Sequence, residues 1–194
     1  MTAIMKTNNA SRLLMWSLTA MCLTLAQPLG ASEYQILISK QNNELLIEKA
    51  GEVVKRFRIA TGKGGKGAKR RQGDSKTPVG TYRILKFKQS DRFHYFIQLD
   101  YPNLIDAWYG YKNEIISANE FKRIAHAYKK REAPPQDTAL GGFIGIHGLG
   151  QTTQKKLQIH QNLDWTEGCI ALTNEEVLEL KNFVDVGTQV VIVE

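Results

Sequence analysis

The chain has 194 residues, enough for one domain with a single sizeable core. Its 42% hydrophobic and 23% charged content is that of a globular protein and excludes extended disorder. A formal net charge of +7 excludes nothing by itself; it leaves an ordinary soluble surface or an anionic partner such as nucleic acid, acidic lipid or acidic polymer.

The N-terminus narrows the choice. Met1 to Arg12 is polar, carries Lys6 and Arg12 and has no acid, and Leu13 to Leu25 (LLMWSLTAMCLTL) is an apolar run. A small-residue stretch, AQPLGAS, follows at 26–32. This order predicts a secretory signal peptide over 1–31 and a mature domain over 32–194, the apolar run being short for a membrane span. Ala26, Ala31 and Ser32 each fit as the last residue before cleavage. The alternative is an uncleaved anchor, and both readings put the domain outside the cytoplasm, in the periplasm. Cys22 belongs to this leader; Met21 before it stands where a lipid-modified cysteine needs a small residue. Cys169 is then alone in an exported domain. It is read either as an inert buried or bridging cysteine or as a reactive thiol.

The mature part opens with strands. Tyr34 to Ser39 and Glu44 to Lys49 are rich in branched residues and joined by a hairpin-like link at Lys40 to Asn43; Glu52 to Ala60 follows the Gly51 turn. Thr61 to Ser75 (TGKGGKGAKRRQGDS) reads as a flexible, solvated basic loop. Further strands are predicted at Val79 to Lys86 and Phe96 to Leu99. Ser117 and Glu120 have capping-box spacing, with Phe121, Ile124, Ala125 and Tyr128 at helical spacing behind them up to Arg131. Phe143 to His147 returns to a strand. Thr173 and Glu176 form a second capping box for a helix to about Val184, and Thr188 to Val193 closes the chain as a buried strand. The pattern predicts a mainly β single domain with two helices.

Three arrangements deserve a chemical reading. Gly62, Gly64 and Gly67 match G-x-G-x-x-G, but AKRRQGDSKTP behind them cannot start the helix that a dinucleotide site needs. His147, His160 and Cys169, with Glu167 or Asp164 nearby, have none of the compact zinc spacings, so no metal or other cofactor is expected. A papain-like site would place its cysteine before its histidine; here the order is reversed. What remains is a thiol with a base. His147 followed by Gly148 is expected at an exposed strand end, able to take the Cys169 proton and return it to a leaving amine. Gly168 before Cys169 lets backbone approach a substrate, and amides there can hold an oxyanion. His160 reads as an exposed loop histidine and Trp165 as a packing residue framing the site.

The I-H-G at 146–148, the T-E-G-C-I-A-L at 166–172 and the G-D-S-K-T-P-V-G-T-Y at 73–82 resemble the L,D-transpeptidase catalytic domain, the YkuD-type or ErfK/YbiS/YcfS/YnhG group. The likeness runs over the whole mature chain. It implies a β-sandwich domain with two or three peripheral helices, Cys169 as nucleophile and His147 as general base. Gly168, Thr166 and Gly148 would give oxyanion and backbone support. Two positions depart: Glu167 stands where many members have a second histidine, and Ala171 where many have an arginine. The resemblance implies attack on the diaminopimelate–D-alanine bond of peptidoglycan stem peptides and transfer to an amine. That amine belongs to a second stem, giving a 3–3 cross-link, or to a lipoprotein, giving anchoring. Water as acceptor would make the same site a carboxypeptidase or an amidase. A non-catalytic peptidoglycan-binding module is the competing class, disfavoured by the joint presence of Cys169 and His147. Nucleic acid drops out as a partner, and no stable membrane span is expected after leader cleavage.

Overall fold

Branched apolar residues alternating with polar ones line one face of a strand, and this chain carries that period repeatedly. The computed structural model describes residues 32–194; the expected leader, with Cys22, lies outside the described residues. Strands β1 (Tyr34–Ser39), β2 (Glu44–Lys49) and β3 (Glu52–Arg58) form an antiparallel meander. The long β4 (Gly80–Ser90) is followed by β5 (His94–Leu99), β6 (Gly145–His147), β7 (Ile170–Ala171) and β8 (Gln189–Val193). Their order is β3-β2-β1-β8-β4-β5-β6-β7.

Two layers arise because β4 serves both. Its first half pairs with β8 and its second with β5, with a register shift between Ile84 and Lys86 where it changes sheet. Ala60, just beyond β3, bridges Ala171 in β7 and ties the two outer edges together. Between the layers lies one apolar core, with Ile36, Ile38, Leu45, Ile47, Ile97, Ile146, Ile170 and Val190 all fully buried. This is the β-sandwich that the resemblance implies.

Four helices are present among the described residues, more than the two or three expected. Of the two foreseen, α2 (Ala118–Lys130) carries its Ser117–Glu120 capping box, and α4 (Asn174–Lys181) its Thr173–Glu176 box. The latter stops at the Asn182 cap, short of Val184. The unforeseen α1 (Leu104–Lys112) is opened by an Asn103–Asp106 capping box, and α3 (Gln154–Asn162) by Thr153. Neither has a clear apolar stripe: α3 offers only Leu157 and Ile159 among polar residues. Helices α1 and α2 enclose a second small core of Ala107, Ile116, Ile124 and Leu140.

Asp106 ties this helical pair to the sandwich. Its Oδ2 accepts from the Tyr82 hydroxyl at 2.9 Å and from the Asn103 N–H at 3.0 Å. Burial raises its carboxyl to about 6, against the pull of those two hydrogen bonds. A raised folded value means that stability is greatest below the ordinary carboxylate range and is lost as pH rises through about 6. Relative to Asp106→Asn, the wild type is therefore expected to lose about 2–3 kcal/mol between pH 4 and pH 7. Denaturant melts of both proteins at the two pH values measure this; parallel pH dependence would refute it.

Candidate active site

Register arranges the second sheet into rows. Lys88 pairs with Phe96, Phe96 with His147 and His147 with Ala171; Lys86 pairs with Gln98 and Gln98 with Gly145. Because Ile146 sits opposite Ile170, one step back brings Gly145 beside Cys169. Both isoleucines point into the core, so His147 and Cys169 share the outer face, as a two-residue period requires. They line one cleft of about 590 Å³ with Phe93, Phe96, Phe143, Trp165 and the cations Lys86, Lys88 and Arg92.

His147 ends a strand as expected, but it is buried rather than exposed. The Phe93 ring lies 4.1 Å away, centroid to centroid, and Trp165 stands edge-on at 6.2 Å. The imidazole Nδ1 lies 2.8 Å from the Gly148 carbonyl oxygen. A carbonyl only accepts, so this contact assigns the proton to Nδ1 and leaves the Nε2 lone pair as the base. Burial pushes His147 down to about 4, with Arg92 and Lys156 adding to the effect and the Gly148 carbonyl opposing it. Burial likewise pushes the Cys169 thiol up to about 11, against the Gly145 N–H and the charges of Lys69 and Arg92. The thiol donates to the Phe143 carbonyl at 3.5 Å. At neutral pH the pair is thus a neutral thiol and a neutral imidazole.

The residues expected as backbone support have other tasks. Thr166 Oγ1 donates to the Cys169 carbonyl at 2.6 Å and accepts the Gly168 N–H at 3.1 Å, closing the turn that presents the thiol. The Gly148 N–H goes to the Tyr95 carbonyl at 3.1 Å. The Gly168 and Gly148 amides are therefore engaged, whereas the Cys169 N–H meets no acceptor among the described residues. Gly168 itself has φ +130°, and a Cβ there would lie 2.7 Å from the Lys76 carbonyl oxygen.

The glycine-rich segment is solvent-exposed over about half its length, as its composition predicts, but it is also pinned against the site at several points. The Lys63 N–H donates to the Thr166 carbonyl at 2.9 Å, and the Thr166 N–H to that of Thr61 at 3.1 Å. A Cβ on Gly62 would lie 2.2 Å from the Ser75 carbonyl oxygen, so a side chain there would prevent this segment from nesting against 74–77. Asp74 holds the other limb, pairing with Lys69 at 2.8 Å and accepting from the Arg70, Arg71 and Lys76 amides. Glu167 links the same parts: it accepts from Lys63 Nζ at 2.5 Å and from the Ser75 hydroxyl at 2.6 Å, and these bonds lower its carboxyl.

His160 is a correction: it is buried on α3, not exposed on a loop. Its burial lowers its imidazole below the ordinary range. Asp164 is occupied by the Thr61 N–H at 2.6 Å and Asn43 at 2.8 Å. Among the described residues, no three His, Cys, Asp or Glu side chains converge as a metal site would need. Sequence reasoning gave no site role to Gly145, Phe143, Lys86 or Lys88, which only the pairing register brings to the thiol. Arg92 and Phe93 fall in the run S-D-R-F-H-Y at 90–95, which resembles one branch of the family but names no role for them.

A family model for the L,D-transpeptidase catalytic domain, YkuD, matches residues 33–192. The chain belongs to this family. A 96-residue segment is 33% identical to Escherichia coli K12 YafK, designated a candidate L,D-transpeptidase, and covers 46% of this chain and 39% of that protein. Campylobacter jejuni Pgp2, a helical cell shape determining protein, superposes with a TM-score of 0.54 at 22% identity, over 85% of this chain and 49% of Pgp2. Bdellovibrio bacteriovorus Bd1075 gives 0.53 at 20% identity, over 84% and 48%. These two likenesses concern the fold, and the chain spans about half the length of either solved relative. In this L,D-transpeptidase domain the cleft holding Cys169 is walled on the β4 side by cations, while position 171 carries a buried alanine.

Proposed function

We propose that this domain is a peptidoglycan L,D-transpeptidase acting by covalent acyl transfer through Cys169. The observation that carries the reading is that a thiol and an imidazole with a free Nε2 line the same cleft from adjoining strands. The Cys169 sulfur attacks the carbonyl that joins diaminopimelate to D-alanine in a stem peptide, while His147 Nε2 takes the thiol proton. The Cys169 N–H, free of protein acceptors among the described residues, faces the developing oxyanion. The Gly148 carbonyl holds Nδ1–H and so stabilises the imidazolium until it protonates the departing D-alanine amine. An amine then resolves the thioester: a second stem's diaminopimelate gives a 3–3 cross-link, a protein lysine an anchored protein. Water instead would give hydrolysis at the same site. The basic leader followed by an apolar run supports export, and the substrate class supports a periplasmic site of action.

The test is incubation with disaccharide-tetrapeptide, followed by mass spectrometry of the products and of the intact protein. Release of D-alanine together with an acyl adduct on Cys169 is the expected result. Identical products from wild type and Cys169→Ala, without an adduct, would overturn the proposal. The nature of the products identifies the acceptor.

A further inference from the structure

The cleft has a charged wall that the chemistry at Cys169 does not use. Lys86 and Lys88 alternate along β4, so both project from the same side of the second sheet as His147. Arg92 lies in the β4–β5 turn and lines the same cleft. None of the three has an ion pair among the described residues, although eight such pairs hold other cations or acids elsewhere. Glu167 is the one acid lining the cleft, and Lys63 and Ser75 already engage it. The wall therefore presents uncompensated positive charge to whatever occupies the cleft. Position 171, next to Ile170 on the same strand, is a fully buried alanine and contributes no cation.

Register gives the wall a distance from the thiol. Lys88 is two strands from His147, and Lys86 is three from Cys169, through Gln98 and Gly145. At about 4.8 Å per strand this separates Lys86 from Cys169 by roughly 14 Å at the backbone. A lysine side chain spans about 6 Å, which leaves a carboxylate roughly 7–9 Å from the attacked carbonyl. The carboxylate of the departing residue is only one residue away and falls short of the wall. The far end of a long acidic side chain on the acyl-donor residue reaches it.

We infer that Lys86 and Lys88, with Arg92, form a subsite for the distal side-chain carboxylate of the residue whose carbonyl Cys169 attacks. This rests on the transpeptidase reading above and names the specificity of that same site. A diaminopimelate side chain carries such a carboxylate at its end; lysine has the same amine and chain without it. The subsite thus reads the difference between the two. It binds the donor before chemistry and through the acyl-enzyme, so its contribution falls on KM more than on kcat.

The experiment compares tetrapeptide donors carrying diaminopimelate or lysine at position three, with wild type, Lys86→Gln/Lys88→Gln and Arg92→Gln. All three side chains are exposed, so the variants keep the fold; circular dichroism checks this. Wild type is expected to favour the diaminopimelate donor by about 10- to 100-fold in kcat/KM, as charge-assisted hydrogen bonds allow. The double variant loses that preference through a raised KM at nearly constant kcat, and Lys88→Arg retains it. An equal preference in wild type and variants, or none in wild type, overturns the subsite while leaving the acyl-transfer reading intact. Should wild type turn over neither donor, titration of Cys169→Ala with both peptides by calorimetry still decides. Tighter binding of the diaminopimelate peptide, abolished by the lysine substitutions, supports the subsite, and equal binding overturns it.

Discussion

Replacing Cys169 by alanine is expected to lower turnover of a tetrapeptide donor by at least about 10⁴-fold, with the fold unchanged. The half-buried side chain leaves little void when shortened, but no other nucleophile lines the cleft at its place. His147→Ala should cost about 10³- to 10⁴-fold, and the double variant no more than the worse single one, because thiol and base act as a unit. The pH profile carries a further signature. Activity needs neutral His147, whose value of about 4 places the acid limb well below the ordinary histidine range. The thiol, near 11, is neutral across the working range, so proton transfer accompanies attack. An imidazolium–thiolate resting pair would instead lose activity on the alkaline side as its imidazolium deprotonates. The expected kcat/KM profile is therefore flat from about pH 6 to 9. A fall above pH 8 would contradict the neutral pair.

The second large effect is at Gly168. Alanine there would place its Cβ 2.7 Å from the Lys76 carbonyl and must adopt φ +130°, a conformation that L side chains rarely reach. Neither neighbour yields easily, since the Lys76 N–H is held by a hydrogen bond to Asp74 Oδ1 and the Gly168 N–H by one to Thr166 Oγ1. Relief must come from the turn, which carries the thiol away from His147. We expect Gly168→Ala to lose about 2–4 kcal/mol of stability from strain. It should also lose on the order of 10²-fold in kcat, as a displacement of about 1 Å suffices for that. Denaturant melts and single-turnover acylation read the two effects separately. Wild-type behaviour in both would show that the backbone at 168 is not under the constraint described.

Local chemistry carried much of the sequence reading. The strands from Tyr34 to Lys49, the capping boxes at Ser117 and Thr173, and the closing strand at Gln189 to Val193 all depend on neighbours within a few residues, and all are present. Helix α3 was hidden because its amphipathic pattern is weak and its cap, Thr153, has no acidic partner at the third position. The glycine-rich run misled for the opposite reason. Its composition is that of a solvent loop, yet Gly62 and Gly64 serve close backbone packing against 74–77, while Gly65 and Gly73 face open space.

By itself the sequence determined the family, singled out Cys169 and His147 as the candidate reactive pair, and set the alternation that puts them on strand faces. Those follow from residue type and short-range order. Tertiary structure alone decided how that pair behaves and what surrounds it. Burial beneath Phe93 depresses His147, and the register across four strands sets Lys86 and Lys88 on the same cleft. Desolvation and cross-strand register join residues up to about 80 positions apart in the chain, and no window along the sequence contains both partners.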